Sequence, residues 1–218
     1  AVHAVAWLTR TRRAVRVVDA GLTNLSQEQG CQRGDWFYAK RKCQKARRYD
    51  SHVYENVPTD PLGRRSLLRV ADTYYNQGDA VNLVEAQNKY RNFINRYPGS
   101  ESADYAMLQI AMVSFKQMEK PDRDQQKTRE AVEKFNDMLR TYPRSPLKAD
   151  AEAHLVQAMD RLAKHEHIVA KFYMKRKSYL SAVQRLNFLV DTYPNYTDRA
   201  GVFYDLGTSL SALGRNGE

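Results

Sequence analysis

Helix-breaking residues are scarce in this chain, which has ten Gly and seven Pro in 218 residues. Long helices fit that scarcity. Cysteine is scarcer still. Cys31 and Cys43 are too few for a disulfide scaffold and too far apart for a zinc clamp, although a single pairing between them would suit an extracytoplasmic compartment. No run approaches the roughly 20 apolar residues needed to span a bilayer. The apolar stretch Ala1 to Leu8 precedes the basic cluster Thr9 to Arg16 instead of following one, and lacks a small-residue cleavage site after it, so it does not have the form of a signal peptide. Acidic residues fall short of basic ones by a formal charge of +10, and the shortfall is local. Residues 1–50 hold 11 Lys/Arg against 4 Asp/Glu, whereas the remainder holds 24 against 21. A near-neutral body is a poor track for phosphates, and Arg10 to Arg16 and Lys40 to Arg48 read as a solvated basic arm.

What the chain does contain is an internal repeat. Ala86-x3-Tyr90 runs on to Tyr97-Pro98, Ala131-x3-Phe135 to Tyr142-Pro143, and Ala182-x3-Leu186 to Tyr193-Pro194, with seven residues between the apolar residue and the proline each time. A small residue lets two helices approach, a large one four later fills the groove, and proline stops the second helix. One unit carries the full pattern of a tetratricopeptide: Val169-Ala170-x2-Tyr173, then Ala182 twelve residues after Ala170, then Pro194. The expected fold is therefore all-α, a tetratricopeptide-like right-handed superhelix of antiparallel helix pairs, and such stacks bind other polypeptides more often than they catalyse.

Along the chain, residues 1–62 are expected to form an irregular basic segment with a degenerate first repeat. Gly21, Gly30, Gly34, Pro58 and Pro61 interrupt any long helix there, leaving room for one short basic helix over Asp35 to Tyr49. Residues 63–218 form the repeat domain, with hairpins at about 64–97, 100–142 and 145–193 and a final helix at 197–213 ended by Gly214. The first helix of the third hairpin is extended, running from about Leu147 to Arg176. The last helix lacks a partner to close its apolar face, so the natural chain is expected to continue past Glu218.

Catalytic and metal-binding patterns are missing. His165 and His167, two apart on a helix, point about 200° from one another and cannot chelate one ion. Asp122 and Asp124 lack the Gly and closing Glu of a calcium loop, and Arg123 reads as an ion-pairing member of an ordered loop. No Gly-rich phosphate loop, nucleophile elbow or Cys/His constellation occurs. No catalytic residue, metal site or cofactor is assigned. Most tyrosines, Tyr97, Tyr142 and Tyr193 among them, sit at packing positions. Tyr74, Tyr75, Tyr105 and Tyr173 lie instead on first helices, which line the surface where extended peptides bind, so the first three are candidates for a peptide groove.

The stretch Asp160-Arg161-Leu162-Ala163-Lys164-His165-Glu166-His167, then Val169 to Tyr173, Arg176-Lys177-Ser178-Tyr179 and Ala182-Val183-x-Arg185-Leu186, closely resembles the BamD (YfiO) family of outer-membrane assembly lipoproteins, as does Met118 to Asp124. The resemblance covers about residues 64–213. It implies a non-enzymatic scaffold with five tetratricopeptide units on the periplasmic face of the bacterial outer membrane. Such a scaffold binds the periplasmic domain of the barrel-forming subunit and receives unfolded outer-membrane protein segments. Arg185 aligns with an arginine that the family uses at the first of these contacts, where its planar fork can engage a carboxylate; Arg176 and Tyr173 join it as partner-binding candidates. Membrane attachment would be through a lipidated cysteine, yet nothing upstream of Cys31 forms an adequate hydrophobic region, and residues 49–63 look too short and proline-bearing for the helix expected before Ser66. Other readings are a periplasmic repeat protein coordinating cell-envelope or peptidoglycan synthesis, and a nucleic-acid binder acting through the basic arm.

Overall fold

The computed structural model describes Leu22, residues 24–215 and Gly217. The Ala1–Leu8 stretch, the Thr9–Arg16 cluster and Gly21 lie outside the described residues. Among those described there are nine α-helices and no strand: α1 (Gln27–Ala39), α2 (Cys43–Asn56), α3 (Pro61–Gln77), α4 (Ala80–Arg96), α5 (Ala103–Lys116), α6 (Gln126–Thr141), α7 (Lys148–Lys175), α8 (Tyr179–Thr192) and α9 (Arg199–Ala212). None is long and apolar enough to cross a membrane. The contacts divide the chain into two compact units, the first ending at Ala106 and the second beginning at Met107, within α5.

In the first unit α1 packs on α2, α2 on α3 and α3 on α4, and α1 also meets α3. In the second unit α7 packs on α6 and α8, α8 on α9, and α7 also meets α9. Neighbour-on-neighbour contact, with first helices touching first helices, is the packing of helix-pair repeats.

The second helix of each pair shows why the repeat residues are where they are. Ala46, Ala86, Ala131 and Ala182 are fully buried, as are Tyr90, Phe135 and Leu186 four residues later. Three positions further on, Val53, Phe93, Met138 and Leu189 are no more than 1% exposed. Each large side chain so buried contributes about 2–3 kcal/mol. All four helices then stop in one way. Val57, Tyr97, Tyr142 and Tyr193, each before a proline, share φ near −130° and ψ near 60°, outside the α region that proline disfavours for the preceding residue.

Val57-Pro58 is the fourth such ending, and it corrects the expectation for residues 1–62. The region from Ser26 is a helical hairpin, opened by a capping box in which the Ser26 hydroxyl accepts from the Gln29 amide and the Gln29 side chain accepts from the Ser26 amide. Gly30 and Gly34 do not break α1. They lie on its buried face, where a Cβ would stand 2.6 Å from Val53 Cγ2 and 2.7 Å from Asp50 Oδ1 respectively, so glycine is what allows α1 and α2 to approach. Pro58 ends α2, and Pro61 occupies the first turn of α3 behind the Asp60 cap. The short helix expected over Asp35–Tyr49 is instead divided by the α1–α2 turn. Cys31 is buried in α1 with its Sγ 3.4 Å from Ser66 Oγ, and both thiols are free.

Four of the five first helices, α5 excepted, end differently, in a left-handed residue: Arg41 (φ 56°), Gly78 (75°), Lys177 (59°) and Gly214 (72°). After α1 and α7 the amide of the next residue donates five residues back, Lys42 to Phe37 O and Ser178 to Tyr173 O, both closing Schellman turns. A side chain is strained at such a position. Lys177→Gly is expected to raise stability by about 0.5–1 kcal/mol in chemical denaturation, the gain in backbone strain exceeding the entropy glycine adds to the unfolded chain.

Candidate functional site

Two surfaces collect the sequence-selected residues, one in each unit. In the first unit the centre is Asp72 on α3, a residue the sequence reading passed over. Tyr90 Oη donates to its Oδ1 at 2.6 Å and Tyr105 Oη donates to the same oxygen at 2.9 Å. Burial pushes the Asp72 carboxyl up, while the two tyrosine hydrogen bonds and Arg69 pull it back. Burial also raises Tyr90 and Tyr105, and the Asp72 charge adds to both. Arg69 stacks 4.3 Å from the Tyr38 ring centroid and pairs with Asp35 at 3.1 Å, while Arg65 reaches the other Asp35 oxygen at 2.5 Å. First helices α1 and α3 thus present Tyr38, Asp35, Arg65, Arg69 and Asp72 together.

Of the groove candidates, Tyr105 belongs to this cluster and its hydroxyl is engaged by Asp72. Tyr74 is half-buried beneath the Arg47 guanidinium, 3.3 Å from its ring centroid, and Arg47 Nε donates to Thr73 Oγ1 at 3.0 Å. Tyr75 is half-buried, and that burial raises its hydroxyl. The sequence pattern does not reveal α1 as a helix, so the place of Tyr38 beside Arg69 of α3 is hidden in it. The signal was nonetheless there: Gly34-x2-Phe37, Ala46, Asp50 and Pro58 stand 136 residues before Ala170-x2-Tyr173, Ala182, Leu186 and Pro194.

In the second unit the long helix α7 organises the surface. Its middle anchors the segment between α5 and α6: Arg161 Nη1 donates to Glu119 O at 2.9 Å and His165 Nδ1 to Pro121 O at 2.7 Å. Gln125, 1% exposed, donates to Lys120 O and Arg123 O, and Thr128 Oγ1 donates back to its side-chain oxygen. These groups order the loop, in place of the Arg123 ion pair that the sequence suggests. His167 turns inward and is buried against Asp205, so the two histidines diverge. Among the described residues no group of three or more His, Cys, Asp or Glu could hold a metal ion.

Arg185 on α8 places Nη1 3.1 Å from Glu166 Oε2, its side chain 46% exposed against 16% for the glutamate. Tyr173 lies on the same face of α7 as Glu166, about 10 Å further along the helix. Arg176 covers the half-exposed Phe172 ring at 4.6 Å, Tyr173 meets that ring edge-on at 5.8 Å, and Leu180 is exposed beside the turn. Arg176, Tyr173 and Phe172 therefore form one aromatic and cationic patch at the C-terminal end of α7, with Arg185 about two turns away.

A family model described as YfiO, outer membrane lipoprotein, matches residues 25–207 of this sequence. The chain belongs to the YfiO family. The match takes in α1 and α2, so the hairpin hidden in the sequence is part of the family's architecture. Outer membrane protein assembly factor BamD of Neisseria gonorrhoeae is 30% identical over 148 residues, 63% of this chain and 54% of that protein. The Caulobacter vibrioides protein of the same name is 27% identical over 186 residues, 85% of this chain and 58% of that protein. The chain thus spans little more than half the length of these YfiO relatives. Among solved structures, the TPR2AB-domain:pHSP90 complex of yeast Sti1 superposes with a TM-score of 0.49 at 14% identity, over 86% of this chain and 70% of that one.

Proposed function

We propose that this YfiO-family chain is a non-enzymatic scaffold of outer-membrane β-barrel protein assembly, located on the periplasmic side of the outer membrane. In this reading Arg185, Arg176 and Tyr173 bind the periplasmic domain of the barrel-forming subunit. Tyr105, with Tyr38, Arg69 and Asp72 beside it, and Tyr74 and Tyr75 on α3 receive unfolded outer-membrane protein segments. The observation that carries the reading is the half-exposed Arg185. One guanidinium nitrogen on Glu166 fixes its direction, and that leaves a planar donor fork pre-oriented for a carboxylate of a partner. The partner patch around Phe172 supplies apolar area next to the charge, the combination found at binding hot spots.

Isothermal titration of the full chain with the periplasmic domain of a barrel-forming subunit tests it. Arg185→Ala is expected to weaken binding about ten- to thirtyfold, and Arg185→Lys to restore little of it, because an ammonium cannot hold Glu166 and a second carboxylate in one plane. Absence of heat and of complex at tens of micromolar for the unaltered chain would overturn the assignment.

A further inference from the structure

The turn between α1 and α2 is not used by either surface above. Lys40, Arg41, Lys42 and Lys45 crowd it, all exposed, with no acidic residue between them. Beside them Trp36 is 51% exposed, and Lys40 Nζ lies over its ring at 3.9 Å. The nearest acid on α1, Asp35, is taken by Arg65 and Arg69. A groove of about 400 Å³ lined by Gln32, Arg33, Trp36, Phe37 and Tyr49 opens on the aromatic side. On the other side a cleft of about 630 Å³ is lined by Arg41, Lys42, Lys45 and the polar end of α3 at Asn76 and Gln77.

We infer that this turn docks on the surface of an anionic phospholipid bilayer. The chemistry fits such a surface on two counts. Tryptophan, with an apolar body and one N–H donor, partitions to the boundary between headgroups and acyl chains, where lysine stems can lie along apolar surface while their charges stay in the headgroup layer. Four cations within six residues then meet the negative surface potential, and the Schellman turn at Arg41 holds them at one end of the hairpin. A nucleic acid would use the same cations, but Trp36 is the one exposed ring at their edge and the half-buried Phe37 and Tyr49 stack on each other (centroids 5.4 Å apart), which leaves no row of free platforms for successive bases. The family's description as outer membrane lipoproteins supplies a membrane nearby. The inference is independent of the partner site on α7 and α8.

The test uses the full chain carrying Trp7→Phe, so that Trp36 is the sole tryptophan. It is mixed with vesicles of phosphatidylethanolamine and phosphatidylglycerol, with phosphatidylcholine vesicles, with single-stranded DNA and with inorganic phosphate, at low salt. Expected are co-sedimentation with the anionic vesicles alone, a shift of Trp36 emission to shorter wavelength, and quenching by lipids brominated near the headgroup. Lys42→Gln/Lys45→Gln should weaken partitioning about twentyfold, roughly fivefold for each charge removed. Trp36→Ala, checked for an unchanged melting temperature and circular dichroism spectrum, should weaken it several-fold. Sedimentation without any change in Trp36 emission would assign binding to the basic segment before residue 22 and overturn the inference. So would an equal emission change with DNA or with phosphate.

Discussion

Asp50→Leu is expected to stabilise the N-terminal unit by about 3 kcal/mol at pH 8, measured by urea denaturation. Asp50 occupies the groove position that Tyr90, Phe135 and Leu186 fill in the other second helices, and at 2% exposure it is as buried as they are. Its Oδ2 has no hydrogen-bond partner, and the carboxylate packs directly on Gly34. Burial pushes its carboxyl up to about 7; Arg69 and Arg65 offset part of that shift, and Asp35 and Asp72 add to it. The sign follows from linkage. Between about pH 4 and pH 7 the folded state holds a proton that the unfolded state has released, so stability falls as pH rises through that window and the loss is complete above it. At face value three pH units correspond to about 4 kcal/mol. Leucine has the branched shape of aspartate with methyls in place of oxygens, so it fits the groove and removes the ionisation. Wild type should therefore lose stability from pH 4 to pH 7 by a slope that Asp50→Leu abolishes. An unchanged slope in the variant would show that Asp50 is solvated and paired in solution.

That one residue also explains what could be read in the sequence and what could not. Three second helices announced themselves through Ala, a large apolar residue and Tyr-Pro, because a fully buried groove position tolerates little else. The fourth has the same spacing, Ala46-x3-Asp50-x7-Pro58, but an acid stands where a large apolar residue is expected and Val57 where tyrosine is. A pattern scored on hydrophobicity discards it. Gly30 and Gly34 compounded the loss, since glycine is a helix breaker by propensity and a contact surface only once a partner helix is known to lie against it. Tertiary approach overrode local preference, and with α1 went the register of Tyr38. The charged face was equally hidden: Asp72 is unremarkable in sequence, and only the convergence of Tyr90 from α4 and Tyr105 from α5 gives it two hydroxyl donors on one oxygen. By contrast, Arg185 and its neighbours lay in a stretch whose resemblance was dense enough to single them out, although its partner Glu166 was visible only in the fold.

His167 ties the last helix of the second unit, α9, to α7. Its Nε2 donates to Asp205 Oδ2 at 2.8 Å, Nδ1 lies 3.7 Å from Asp198 Oδ2, and its ring meets Tyr196 edge-on at 5.9 Å. Asp198 caps α9 through the Gly201 amide, so one imidazole on α7 ties down both the start and the first turns of α9. His167→Leu leaves Asp205, 9% exposed, with Lys171 at 3.7 Å as its remaining charged partner. A carboxylate stripped of a buried donor is costly, and the expected loss is about 3 kcal/mol, with amides of α9 exchanging first. Replacing both partners should cost far less. His167→Leu/Asp205→Leu extends the apolar contacts around Ala170, Leu189 and Val202 and should return to within about 1 kcal/mol of wild type, because neither a buried charge nor an orphaned donor remains. The double-mutant cycle is thus expected to show strong coupling. Simple additivity, with the double variant weaker than either single one, would mean that the histidine acts by shape and that α9 is held by apolar packing alone.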